Sequence, residues 1–96
     1  MRLRDEVASR RIEILAAAER NGAKDVRLFG SAARGSERPD SDADFIATLE
    51  PGRSFLDLTR LERTLEDLLG RSVDVVTERS VRAAMREDIL REAVRV

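Results

Sequence analysis

Two short apolar runs, DFIATLE at residues 44–50 and SVDVVT at 72–77, stand on either side of a strongly marked helix. Pro51-Gly52 closes the first run. Ser54, with Asp57 three residues on, opens the helix in the manner of a capping box, and Phe55, Leu58, Leu61, Leu65, Leu68 and Leu69 form its apolar stripe up to Gly70. A strand, a crossover helix and a second strand in one sheet take a right-handed connection and leave the two strands parallel. This unit specifies a layered α/β arrangement in which a helix covers one face of a sheet.

The remaining chain adds to that unit. VRLFG at 26–30 is expected as a further strand, joined by a connection that suits an antiparallel or nearby neighbour of the 44–50 strand. Residues 3–20 are expected as one helix with Ala8, Ile12, Leu15 and Ala16 on its inner face and Asn21-Gly22 as its stop. Ser80 is expected to cap a last helix with Val81, Met85, Ile89 and Ala93 on one side. The resulting expectation is one α/β (α+β) domain over residues 1–96, with a small mixed three-stranded sheet covered by helices. Hydrophobic residues at 42% and charged residues at 39% fit a folded, heavily solvated protein. A net charge of −1 supplies no basic field, so direct nucleic-acid binding is not expected. No apolar run reaches membrane-spanning length and MRLRDEVASRR lacks a signal-peptide core, so no membrane association and a cytoplasmic location are expected.

The sequence contains no Cys, His, Tyr or Trp. Thiolate nucleophiles, Ser-His-Asp triads and ordinary zinc sites are therefore excluded. Chemistry in this chain must use carboxylates, hydroxyls, arginine, backbone groups and any ion they recruit.

The topology brings several such groups to one sheet edge. Gly30-Ser31 ends the first strand, Asp42 and Asp44 begin the second, and Asp74 begins the third. Side chains alternate along a strand, so Asp42 and Asp44 share a face while Ala43, Phe45, Ala47 and Leu49 point into the core. A carboxylate run in a loop is ordinarily just solvated. These aspartates instead enter the apolar strand, and Asp74 stands between Val73 and Val75 where a buried strand favours another valine. Carboxylates placed together raise one another's pKa and cost stability, a conflict that a divalent cation removes.

Two common motifs come near and fail. Asp40, Asp42 and Asp44 match the first, third and fifth ligands of an EF-hand loop, but Phe45 replaces its turn glycine and Pro51 its final glutamate. Gly30 to Gly35 has P-loop spacing, yet Ser36 stands at the position of the phosphate-binding lysine. Gly30-Ser31 is open to two readings, a turn with a helix cap and a phosphate cradle at a helix start.

GSAARG followed by SDADF, with the later strand aspartate Asp74, resembles the minimal nucleotidyltransferases of the DNA polymerase β-like superfamily. The resemblance covers almost the whole chain. It implies the polymerase β-like nucleotidyltransferase fold, with Gly30 and Ser31 holding a triphosphate, Asp42 and Asp44 binding two magnesium or manganese ions, and Asp74 completing the metal and catalytic site near the attacking group. Arg34 falls on the family's basic position, where phosphate contact and simple solvation are both open readings. The implied reaction is transfer of a nucleoside monophosphate, AMP from ATP, to an acceptor hydroxyl.

Little of the chain is left to grip an acceptor, so a second protein is expected to supply it. The resemblance implies a HEPN-domain RNase toxin, adenylylated on a tyrosine, with this chain as the antitoxin of the pair. A subunit that neutralises its partner by binding alone is the alternative, and transfer to a small molecule or nucleic acid a third reading. Leu90, Val94 and Val96 extend the apolar surface at the end of the chain, and Leu90 and Val94 are the expected contact with that partner or with another copy of the chain, with packing in the core an equal reading.

Overall fold

The computed structural model describes residues 2–96. Ser54 opens helix α4 (Phe55–Leu69) with a complete capping box: its Oγ accepts the Leu56 N–H at 3.3 Å, and Asp57 Oδ2 accepts the Ser54 N–H at 2.8 Å. Gly70 ends the helix in the left-handed conformation, at φ 67°. Leu58, Leu61 and Leu65 are buried and Leu68 and Leu69 partly so. Phe55, in the first turn, departs from the expected stripe and is 78% exposed.

Helix α4 crosses between strands β2 (Ala43–Leu49) and β3 (Val73–Thr77), which are parallel with Asp44 opposite Asp74. Strand β1 (Ala23–Phe29) runs antiparallel to β2 and pairs Phe29 with Asp44. It starts three residues earlier than expected; a register shift between Lys24 and Arg27, with Asp25 at φ 53°, accommodates the polar pair that masks its beginning. The sheet has four strands rather than three. Val94–Arg95 form a short β4 against β1, giving the order β3-β2-β1-β4. Two residues are too few for a strand period to show in sequence.

The N-terminal helix is also corrected. It breaks at Arg10 (φ −110°, ψ 22°) into α1 (Leu3–Ser9) and α2 (Arg11–Arg20). Its buried face is Leu3, Val7, Ile14, Ala17 and Ala18, whereas Ala8 and Ala16 are exposed, Leu15 is half-buried and Ile12 is 80% exposed. The helical period is right and the phase wrong, since alanines spread around a helix weight no face strongly. Helices α2 and α4 lie over one face of the sheet, enclosing Phe45, Leu28, Ile14, Leu61 and Leu65.

Residues Gly30–Arg34 form a short helix α3 directly after β1, closed by Gly35 at φ 74°. The C-terminal segment differs from expectation. Ser80 ends a 3-10 turn (Glu78–Ser80) capped by Thr77, and α5 (Ala83–Glu92) starts three residues later. Arg86 fastens the turn to α5 by donating from Nε to the Glu78 carbonyl at 2.8 Å and from Nη2 to the Val81 carbonyl at 3.1 Å. No residue of α5 is fully buried; Met85 is 56% exposed, Val81, Ile89 and Leu90 are half-buried, and Ala93 lies beyond the helix. Val94, for which an interface and packing in the core are equal readings of the sequence, pairs with Leu28 in the sheet.

Candidate active site

The strand register sets the site. Phe29 lies opposite Asp44 and Asp44 opposite Asp74, so the end of β1 and the starts of β2 and β3 meet at one sheet edge. The chain must turn sharply after Phe29 to enter α3, and it does so at Gly30 with φ 71°. That glycine meets a second demand: a Cβ at residue 30 would stand 2.8 Å from Asp44 Oδ2. Any side chain there would strain the backbone and push into the carboxylate. Gly30 and Ser31 are half-buried in the first turn of α3, where backbone N–H groups have no intrahelical partner. Ser31 therefore does not act as the expected side-chain cap; it sits inside the helix, and its carbonyl accepts the Ser36 N–H at 2.9 Å.

The three aspartates are unequal. Asp42 and Asp74 are exposed, while Asp44 is half-buried. Burial raises the Asp44 carboxyl above the ordinary aspartate range, and the negative charges of Asp74 and Asp42 raise it further. Among the described residues, no three carboxylates are grouped tightly enough to enclose a cation by themselves. The donor set nevertheless fits a hard cation: it is all oxygen, its charges repel one another, and the space that a Cβ at residue 30 would fill is left open beside Asp44. Magnesium sites of this kind use one or two carboxylates and draw their other ligands from substrate phosphates and water.

Arg34 has a partner on α5. It is exposed, and its Nη1 pairs with Glu92 Oε2 on α5 at 2.9 Å. An exposed pair of this kind contributes only about 0–1 kcal/mol, so the guanidinium can exchange one anion for another.

Three further residues shape the site. Arg71 Nη1 donates to the Ser41 carbonyl at 3.0 Å and to the Arg38 carbonyl at 3.4 Å, fixing the loop that delivers Asp42. From α4, Glu62 Oε2 accepts the Val75 N–H at 2.8 Å and Glu66 Oε2 accepts the Val73 N–H at 3.1 Å. Burial raises the Glu62 carboxyl; the Val75 N–H opposes that shift, and the Asp74 and Glu66 carboxylates reinforce it. The Glu62–Glu66 spacing of four on α4 was a readable sign of one helix face, but nothing in the sequence paired that face with the edge of β3. A cleft of about 200 Å³ beside α1 and β4, lined by Arg4, Val7, Leu28, Val94 and Val96 among others, includes none of the site residues.

Known proteins are similar to this chain in sequence and fold. The family described as nucleotidyltransferase domain matches residues 11–96. The protein adenylyltransferase MntA of Thermococcus cleftensis is 40% identical over 78 residues, which cover 81% of this chain and 79% of that protein. MJ0435 of Methanocaldococcus jannaschii, assigned as a protein adenylyltransferase, is 42% identical over 77 residues, covering 80% of this chain and 83% of that one. A solved structure assigned to the minimal nucleotidyltransferases superposes with a TM-score of 0.89 at 46% identity, covering 100% of this chain and 97% of that one. A toxin-antitoxin crystal structure with AMP-PNP superposes with a TM-score of 0.74 at 21% identity, over 88% of this chain and 69% of that one, a likeness of fold.

Proposed function

Because this chain belongs to the nucleotidyltransferase domain family, we propose that it moves AMP from ATP to a hydroxyl on a partner protein, the acceptor being a tyrosine of a HEPN-domain RNase toxin that is thereby silenced. The observation that carries the chemistry is the register that sets Asp44 between the Gly30 turn and Asp74. The protein acceptor is supported by the names of the relatives, both assigned as protein adenylyltransferases, and the toxin by a neighbour of like fold solved as a toxin-antitoxin complex.

In this reading Gly30 and Ser31 lay their first-turn amides along the triphosphate, and Arg34 leaves Glu92 to meet a phosphate oxygen. Asp42 and Asp44, completed by Asp74, would hold two magnesium or manganese ions, which when bound would supply charge neutralisation for the transfer. Asp74, exposed at the start of β3, accepts the proton of the incoming hydroxyl. The hydroxyl oxygen bonds to the α-phosphorus, the bond from that phosphorus to the bridging oxygen breaks, and pyrophosphate departs. Alignment and charge stabilisation supply most of the rate.

The test is label transfer. With α-labelled ATP, magnesium and the partner, wild type is expected to label the partner, while the folded Asp42→Asn, Asp44→Asn double variant does not, and neutralisation in cells is lost in parallel. Full neutralisation by that variant would establish the alternative, an antitoxin or assembly subunit that acts by binding alone.

A further inference from the structure

Strand β3 is an edge strand, so the amides on its outer side have no neighbouring strand to bond. Two of them are nevertheless satisfied, by the carboxylates of Glu62 and Glu66. The match is metric. Four residues of helix advance about 6 Å, and two residues of strand advance about 6.6 Å, so carboxylates at i and i+4 on α4 meet amides at i and i+2 on β3. The directions also agree: the earlier glutamate takes the later valine, as it must where a crossover helix runs back along its strand. Between those two amides stands Asp74. Val73 and Val75 are buried and Asp74 is exposed.

We propose that Glu62 and Glu66 are positioning residues for Asp74, bracketing it from both sides so that its carboxylate is held at the sheet edge beside Asp44. The proposal rests on the reading of Asp74 as part of the transfer site. Protection of the edge against strand addition would need only a charge nearby; two hydrogen bonds at matched spacing fix the backbone on each side of one residue.

The conservative variant separates the roles, because the side-chain oxygen of Gln still accepts an N–H bond and Ala offers none. In Glu62→Ala, hydrogen exchange at the Val75 amide is expected to quicken and kcat to fall about tenfold or more, with KM for ATP within about twofold of wild type. Glu62→Gln is expected to restore both. Faster Val75 exchange in Glu62→Ala with unchanged kcat would reduce the bracket to edge protection, and a Glu62→Gln as inactive as Glu62→Ala would make the carboxylate itself the active group; either result overturns the proposal. Should Glu62→Ala not fold, Glu66→Ala carries the same readouts at the Val73 amide.

Manganese binding provides a readout independent of turnover. Glu62→Ala is expected to weaken Mn²⁺ binding about fivefold, close to 1 kcal/mol, with Glu62→Gln near wild type. A wild-type protein that transfers no nucleotide yet shows this manganese pattern would overturn the proposed function and leave the bracket standing, whereas equal Mn²⁺ binding by all variants would overturn the bracket.

Discussion

Asp44 carries a cost that the folded protein bears for its site. Its carboxyl is raised by burial and by the charges of Asp74 and Asp42, so the native state holds the proton more tightly than the unfolded chain does. The sign follows from linkage: stability contributed by that proton is present below the ordinary aspartate value of 3.8 and is lost as pH rises through the higher native value. Asp44→Asn has no such loss. Without metal it is expected to melt above wild type at neutral pH and to converge with it below pH 3.8, as thermal scans across pH would register. Magnesium or manganese at a hundredfold excess over Kd is expected to stabilise wild type by about 2.7 kcal/mol and Asp44→Asn far less. Equal stabilisation of the two proteins would remove Asp44 from the metal site. Gly30→Ala tests the same carboxylate from the other side: a Cβ 2.8 Å from Oδ2, at φ 71°, is expected to cost about 1–2 kcal/mol in chemical denaturation and to blunt the metal response. The place of these residues at one sheet edge was legible because GS and DxD are short-range patterns fixed by local chain geometry. It could not show Asp44 and Asp74 paired across two strands, since register is a property of the folded sheet.

Among the elements, α4 was the most legible. Its cap and terminal glycine agree, as does its stripe apart from Phe55, and Ser54→Ala is expected to cost about 1 kcal/mol in urea denaturation through loss of the Oγ bond to the Leu56 N–H. Loss well below that value would mean that Asp57 alone holds the first turn. The two terminal segments were less legible for different reasons. In α1 and α2 the alanine-rich stretch fixes a period without a phase, so Ile12 was placed inward and stands 80% exposed. In α5 the apolar positions Val81, Met85 and Ile89 follow a helical stripe, yet the segment begins as a separate 3-10 turn and the helix buries none of its residues fully. The Arg86 bonds to the Glu78 and Val81 carbonyls hold that turn, a contact that joins a charged side chain to backbone and leaves no periodic mark in the sequence.

Across the whole molecule, the C-terminal residues close the side of the sheet opposite to β3. Val94 pairs with Leu28 and Val96 donates its N–H to the Val26 carbonyl at 3.2 Å while packing on the core, so β1 is an inner strand only because β4 is present. The apolar surplus at the end of the chain, Leu90, Val94 and Val96, invites assignment to an interface because a three-stranded sheet has no room for it. A fourth strand supplies that room for Val94 and Val96. The consequence differs from that of a docking surface. Val94→Asp is expected to lower folding stability by about 2 kcal/mol, the effect of exchanging a half-buried valine for a carboxylate, and to leave β1 as an exposed edge open to pairing with another chain. Leu90→Asp, on half-exposed α5, is expected to cost less than half as much. Urea titration of the two single variants would separate these costs, and sedimentation would detect association through the exposed β1 edge. A Val94→Asp protein as stable as wild type would show that β4 adds nothing to the fold, and would return Val94 to the surface available for a partner.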